Sequence, residues 1–272
     1  MPDEGSRISQ NPLRKIAGFI KERTTVQKAL NLAAKRQKLM LPAVPQVPGY
    51  EFAPVYLPAE HVSGDFYDII DLGGGRYGLL VGDVSGHGME AGIVTGAARK
   101  ALQIYARSGD GPAAVLVRGN DDLGRELDRE TFLTVGYAVL ETAGGSMRYV
   151  RAGHTPPLVM GPGPGKWQVI KSRGVMVGAV RGEGFAKSLE EVGLELHPGQ
   201  SFIQYTDGLA EARERGGDEF GTDRIIEYLD REAGSGKPLA EAVEGLAAEV
   251  LAWTGGAPQE DDITILAVRR TG

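Results

Sequence analysis

Five aspartates stand at the ends of apolar runs, beside glycine or polar turn residues. They are Asp65 in Ser63-Gly64-Asp65, Asp83 in Gly82-Asp83-Val84-Ser85-Gly86-His87-Gly88, Asp207 in Tyr205-Thr206-Asp207-Gly208, and the pair Asp261 and Asp262 ahead of Ile263. Between Asp65 and Asp83 lie the run FYDIIDL, three consecutive glycines (Gly73, Gly74, Gly75) and the run RYGLLVGDV, a pattern that predicts a β-hairpin. A hairpin brings its two ends together, so Asp65 and Asp83 should finish side by side. Adjacent carboxylates repel unless a positive charge lies between them, and all-oxygen ligands favour magnesium or manganese. Taken alone, these residues also fit ordinary turn aspartates, which are common next to glycine. With four or five carboxylates presented from strand ends, two ions about 3.5–4 Å apart could activate a water and clamp an in-line displacement at phosphorus.

The elements that must carry these aspartates can be read along the chain. Residues 1–12 are polar and are expected to be disordered. Leu13 to Leu41 is helical in pattern: Phe19, Val26, Ala33 and Met40 recur every seven residues, flanked by Ile16 and Leu30, with Arg23 and Gln37 interrupting the second track. The pattern suits a short dimerising coiled coil or a helix laid on its own domain, and a proline-rich stretch, LPAVPQVPGY, ends it. Domain boundaries are therefore expected at 1–12, 13–45 and 46–272. Beyond the helix come the strand YEFAPVYLPA, the hairpin, helices near 88–107 and 112–127, and the strands TFLTVGYAVLET, SMRYVRAGH, PLVM, KWQVIKS, FAKSLEEVGLEL and SFIQYTDGL. Helices near 221–232 and 237–253 and the strand DDITILAVRR close the chain. Strands in adjacent runs with helices in pairs indicate α+β rather than alternating βαβ.

Composition narrows the function. The 42% hydrophobic and 24% charged content is that of an ordinary soluble globular protein. A formal charge of −6 with no Lys/Arg-rich block argues against nucleic-acid binding. The absence of cysteine removes thiolate metal sites and cysteine nucleophiles. No stretch approaches a membrane span, and the N-terminus lacks the apolar core of a signal peptide, so the expected location is the cytoplasm.

The ordered series SGDFYD, GDVSGHG, RAGHTPPLVM, YTDGLAEA, FGTDRI and EDDITILAV resembles the bacterial SpoIIE/RsbU-type branch of the PPM metal-dependent serine/threonine phosphatases. It covers about residues 45–270. Each motif alone is weak; six in the family's order are specific. The resemblance implies an αββα sandwich, two antiparallel sheets flanked by helices, with two Mn2+ or Mg2+ ions at one end. Carried over residue by residue, Asp83 would bridge both ions and the backbone carbonyl of Val84 would bind one of them. Asp65 would join that ion's shell, while Asp207 and Asp261 would hold the other. Asp262 would point away or support a ligand, with a capping or turn role as the equal alternative. Gly86, Gly88 and Gly208 would shape the site, the first two where backbone must approach closely. The implied substrate is a phosphorylated STAS-type anti-sigma-factor antagonist. The N-terminal helix would dimerise or receive an activator protein and so gate the site.

Two histidines fall in these motifs. His87 is a candidate general acid for the leaving serine or threonine oxygen, with a structural or exposed role as the alternative. His154 stands where more distant PPM phosphatases carry an aspartate linked to an additional metal, which puts a third ion in doubt; it is read as shaping the floor of the site. Two competing readings are a non-catalytic module that keeps the fold, against which the full set of aspartates argues, and a diguanylate cyclase. The latter rests on Gly216-Gly217-Asp218-Glu219-Phe220, a chance overlap in a polar connection. Gly161 to Lys166 resembles a phosphate-binding loop, but Trp167 replaces the Ser/Thr and a strand follows, so it reads as a turn.

Overall fold

The computed structural model describes residues 12–86, 88–127 and 130–272. A long helix, α1 (Pro12–Leu39), precedes ten strands: β1 (Tyr50–Leu57), β2 (Asp65–Gly73), β3 (Arg76–Val84), β4 (Leu133–Glu141), β5 (Ser146–Ala152), β6 (Leu158–Met160), β7 (Trp167–Val169), β8 (Val192–Glu195), β9 (Ser201–Tyr205) and β10 (Ile263–Arg270). Helices α2 (Gly88–Arg107) and α3 (Pro112–Glu126) follow the hairpin, α4 (Glu183–Ser188) precedes β8, and α5 (Gly221–Glu232) and α6 (Leu239–Trp253) separate β9 from β10. The strands form two antiparallel five-stranded sheets, ordered β1-β10-β9-β6-β7 and β2-β3-β4-β5-β8. This is the expected αββα sandwich.

Strand periodicity explains the layers. Successive side chains point to opposite faces of a strand. On β3, Leu79 and Val81 enter the core between the sheets, whereas Leu80 and Val84 enter a second core under α2 and α3. On β10, Leu266 and Val268 face the other sheet, whereas Ile263, Ile265 and Ala267 pack with residues of α5 and α6. Because both faces are covered, the strands read as nearly unbroken apolar runs. The same alternation puts Asp65, Asp83, Thr134 and Gly136 on the inner face of one sheet, and Gln204, Thr206 and Thr264 on the inner face of the other. On α2, burial of Ala91, Thr95, Ala98, Leu102 and Ala106 at three- and four-residue spacing lays the helix along the hairpin.

Two expectations change. The segment FAKSLEEVGLEL does not form one strand: its first residues belong to α4, and only Val192–Glu195 join the sheet. Phe185 is fully buried in the core under the helices, and an i,i+4 ion pair between Glu183 and Lys187 at 2.7 Å spans the short turn. Helix α1 already includes Pro12, which was expected to be disordered; residues 1–11 lie outside the described residues. Gln37, which interrupts the apolar track, is buried. Its amide receives the Ser63 N–H at 3.0 Å and donates to the Ser63 carbonyl at 2.7 Å. The irregular position in the seam thus ties α1 to the loop before Asp65, alongside a hydrogen bond between Gln27 and His61.

Candidate metal centre

The hairpin register pairs Asp65 directly with Asp83. Both stand on the inner face at the same end of the sandwich, and Asp65 is only 2% exposed. From the facing sheet, the Thr206 hydroxyl donates to Asp65 Oδ2 at 2.7 Å and accepts the Thr264 N–H at 2.9 Å. Thr206 therefore bridges the two sheets at the carboxylate. Burial, then the Asp83 charge, holds the Asp65 carboxyl well above the usual carboxylate range, against the lowering effect of the nearby Thr264 hydroxyl and the Thr206 hydrogen bond. Asp83 is pushed up to about 7, by burial first and then by Asp207, Asp261 and Asp262.

Asp207 opens a 3-10 turn, Asp207–Leu209, directly after β9. A Cβ on Gly208 would lie 2.1 Å from the Asp262 carbonyl oxygen and 3.2 Å from Asp261 Cβ. Only glycine lets the turn after β9 close against the lead-in to β10, which puts Asp207 and Asp261 at the same end as Asp83. Asp262 has a different job. Its two carboxylate oxygens accept the N–H of Ala59 at 2.7 Å and of Gly64 at 2.8 Å, clamping the loop before Asp65. Asp262→Ala would leave the buried Gly64 N–H unmet, at about 1–3 kcal/mol, and free the half-buried Ala59 N–H as well. Its melting temperature should therefore fall by several degrees, and an unchanged value would rule the clamp out.

Val84 is fully buried, and its carbonyl oxygen would lie 2.8 Å from a Cβ on Gly64, so glycine there leaves that oxygen uncovered on one side. Gly86 and Gly88 take positive φ values of 94° and 77°. At Gly86 the reason is backbone conformation rather than close approach, since nothing lies within 4 Å of the missing Cβ. His87 lies outside the described residues. His154 is buried, and burial, then the Arg151 charge, lowers its imidazole to about 3. Its Nδ1 hydrogen-bonds the Thr134 hydroxyl at 2.9 Å. The Gly216–Phe220 string lies in a bend held by the Arg213–Glu219 ion pair at 2.6 Å, with Phe220 buried edge-on to Trp253. Gly161 N–H meets the Lys166 carbonyl in the β6–β7 turn, as expected.

Among the described residues, no three acidic or imidazole side chains close on a single point tightly enough to ligate one ion. Neighbouring carboxylates do lie close enough to raise the proton affinity of Asp65 and Asp83 beyond the effect of burial, which is the electrostatic demand a cation would meet. Their donor set, all oxygen, fits hard divalent cations. Beside Asp261 a cavity of about 200 Å³ is lined by Gly208, Glu211, Arg213, Thr254 and Gln259 among others. The sequence reading missed Thr206 and Gln37. Thr206 adjoins Asp207 in the strand-end motif, a signal that could have found it; nothing local marks Gln37.

Two facing antiparallel sheets with acidic turns at one end define the architecture of PP2C-type phosphatase domains. Residues 73–271 match the family model of Stage II sporulation protein E (SpoIIE), and the chain belongs to that family. It is 28% identical over 262 residues to Protein IcfG of Synechocystis sp., covering 86% of this chain and 40% of that protein. It is 23% identical over 193 residues to phosphoserine phosphatase RsbU of Bacillus subtilis, covering 71% and 56%. The chain thus spans about half the length of these curated relatives or less. The SiaA-PP2C domain of Pseudomonas aeruginosa superposes with a TM-score of 0.77 at 24% identity, covering 91% of this chain and 98% of that one.

Proposed function

We propose that this chain is a metal-dependent phosphatase that removes phosphate from serine or threonine of a regulatory protein in the cytoplasm. The observation that carries this reading is the pairing of buried Asp65 with half-buried Asp83 at one end of the sandwich, with Asp207 and Asp261 close enough to act on Asp83. Asp83, Asp65, Asp207, Asp261 and the Val84 carbonyl would hold two Mn2+ or Mg2+ ions. When bound, such ions supply an activated water and neutralise charge at phosphorus. Thr206 orients Asp65, and Asp262 fixes the loop that delivers it. His87 is the candidate proton donor to the leaving oxygen. The substrate we favour is a phosphorylated STAS-type anti-sigma antagonist, in keeping with the likeness to RsbU. The test is phosphate release from such a phosphoserine protein with Mn2+ and with chelator. Mn2+-dependent release is the expected result. Mn2+ binding without release on this or other phosphoproteins would favour the non-catalytic reading.

Helix α1 is the proposed regulatory input, through a second copy or an activator. Val26 and Met40 of its seven-residue track are exposed on this chain. Its Gln37 grips Ser63, two residues before Asp65. Gln37→Ala should lower Mn2+-dependent turnover about tenfold, the scale seen when a group supporting a metal ligand is lost. Wild-type turnover in that variant would remove α1 from the mechanism.

A further inference from the structure

Beneath the carboxylates, the facing sheets enclose another polar layer that the proposed chemistry does not use. Gln204 and Tyr149 are fully buried, and His154 is 2% exposed. The Gln204 side-chain N–H donates to the Leu79 carbonyl at 3.3 Å, but its Oε1 has no partner. The Tyr149 hydroxyl and His154 Nε2 also have none. Gln204 Oε1, the Tyr149 hydroxyl and the His154 ring edge that carries Nε2 border one spot. A Cβ on Gly136 would lie 2.6 Å from Gln204 Oε1, 3.0 Å from the Tyr149 hydroxyl and 3.1 Å from His154 Cδ2. The Tyr149 ring packs edge-on to Phe202, with centroids 5.8 Å apart, so the hydroxyl is fixed in an apolar wall. Buried polar groups are nearly always paired, and three unpaired ones around a glycine need a shared partner that both donates and accepts. A water meets that requirement, since buried waters make about three hydrogen bonds to such groups.

The layer connects upward. His154 Nδ1 bonds the Thr134 hydroxyl, and Thr134 is the direct strand partner of Asp83. We propose that Gln204, Tyr149 and His154 hold one ordered water beside Gly136, and that His154, fixed by this water, acts through Thr134 as a positioning residue for the strand end that carries Asp83. The second half rests on the reading of Asp83 as a metal ligand.

A high-resolution crystal structure of the full chain should show density within hydrogen-bond reach of all three groups. In Tyr149→Phe, which keeps the ring in place, that density should weaken or vanish. A direct Tyr149–Gln204 contact with no density between them overturns the water. Calorimetric titration with Mn2+ tests the positioning. His154→Gln and Thr134→Val should each weaken binding about tenfold, and the double variant should be no weaker than either single one. Lower melting temperatures with unchanged Mn2+ affinity would make His154 merely structural and overturn its positioning role. A wild-type chain that binds no Mn2+ overturns the ligand reading itself, and the density then decides the water alone.

Discussion

Asp83→Asn should abolish Mn2+-dependent phosphate release and at the same time make the ion-free protein more stable. The two effects have one cause. Asp83 faces Asp65 across the hairpin and feels the charges of Asp207, Asp261 and Asp262 in a half-buried position. Removing its charge relieves that repulsion. At neutral pH a carboxyl held near 7 is half ionised in the folded chain and fully ionised in the unfolded one, so the native state carries a strained group. Asparagine keeps the shape and removes the strain, a gain on the order of 4 kcal/mol at most for a carboxyl raised from 3.8 to about 7. The same change deletes the carboxylate proposed to bridge two ions. A loss of about 10³-fold in turnover is expected, the scale of removing one electrostatic contact to a transition state. Turnover measured beside thermal unfolding in chelator checks both. A variant that loses activity and also loses stability would mean that Asp83 is a structural residue, and the trade of stability for function would be wrong.

How much of this could be read from the residues depends on whether the determining contacts are local. The Asp65–Asp83 pairing followed from a glycine turn flanked by two apolar runs, because hairpin register is set within the segment itself. The two-sheet architecture and the common end for Asp207 and Asp261 came through the resemblance rather than from periodicity. Contacts made across the sandwich were not legible. Thr206 reaches Asp65 over 141 positions of sequence, Asp262 reaches Gly64 over 198, and Gln37 looks like a flaw in a helical seam until Ser63 is found against it. The segment beginning at Phe185 failed for a related reason. Its alternation suits a strand, but the burial of Phe185 under the helices pulls the first half into α4. Local pattern loses there to a tertiary contact.

Mn2+ should raise the melting temperature, and the gain should be larger at pH 8 than at pH 6.5. Asp65 and Asp83 both have folded-state proton affinities raised above the unfolded value. A raised carboxyl keeps in the native state a proton that the unfolded chain has already lost, so stability falls as pH climbs toward the folded value. His154 acts oppositely. Its imidazole is lowered to about 3, so only the unfolded chain takes up that proton, and its contribution to stability is complete once the pH exceeds the ordinary histidine range. Below about pH 6.5 the two effects oppose each other; above it the carboxylates act alone. Ion-free protein should therefore lose stability from pH 6.5 to 8. A bound cation replaces the proton and needs the ionised carboxylate, so its affinity rises over the same interval. At a hundred times the dissociation constant each ion adds about 2.7 kcal/mol, or roughly 5–10 °C for a domain of this size. Differential scanning calorimetry with Mn2+ and with chelator at the two pH values measures this directly. Equal gains at both would place the ions away from Asp65 and Asp83, whose raised proton affinity a cation bound there must displace.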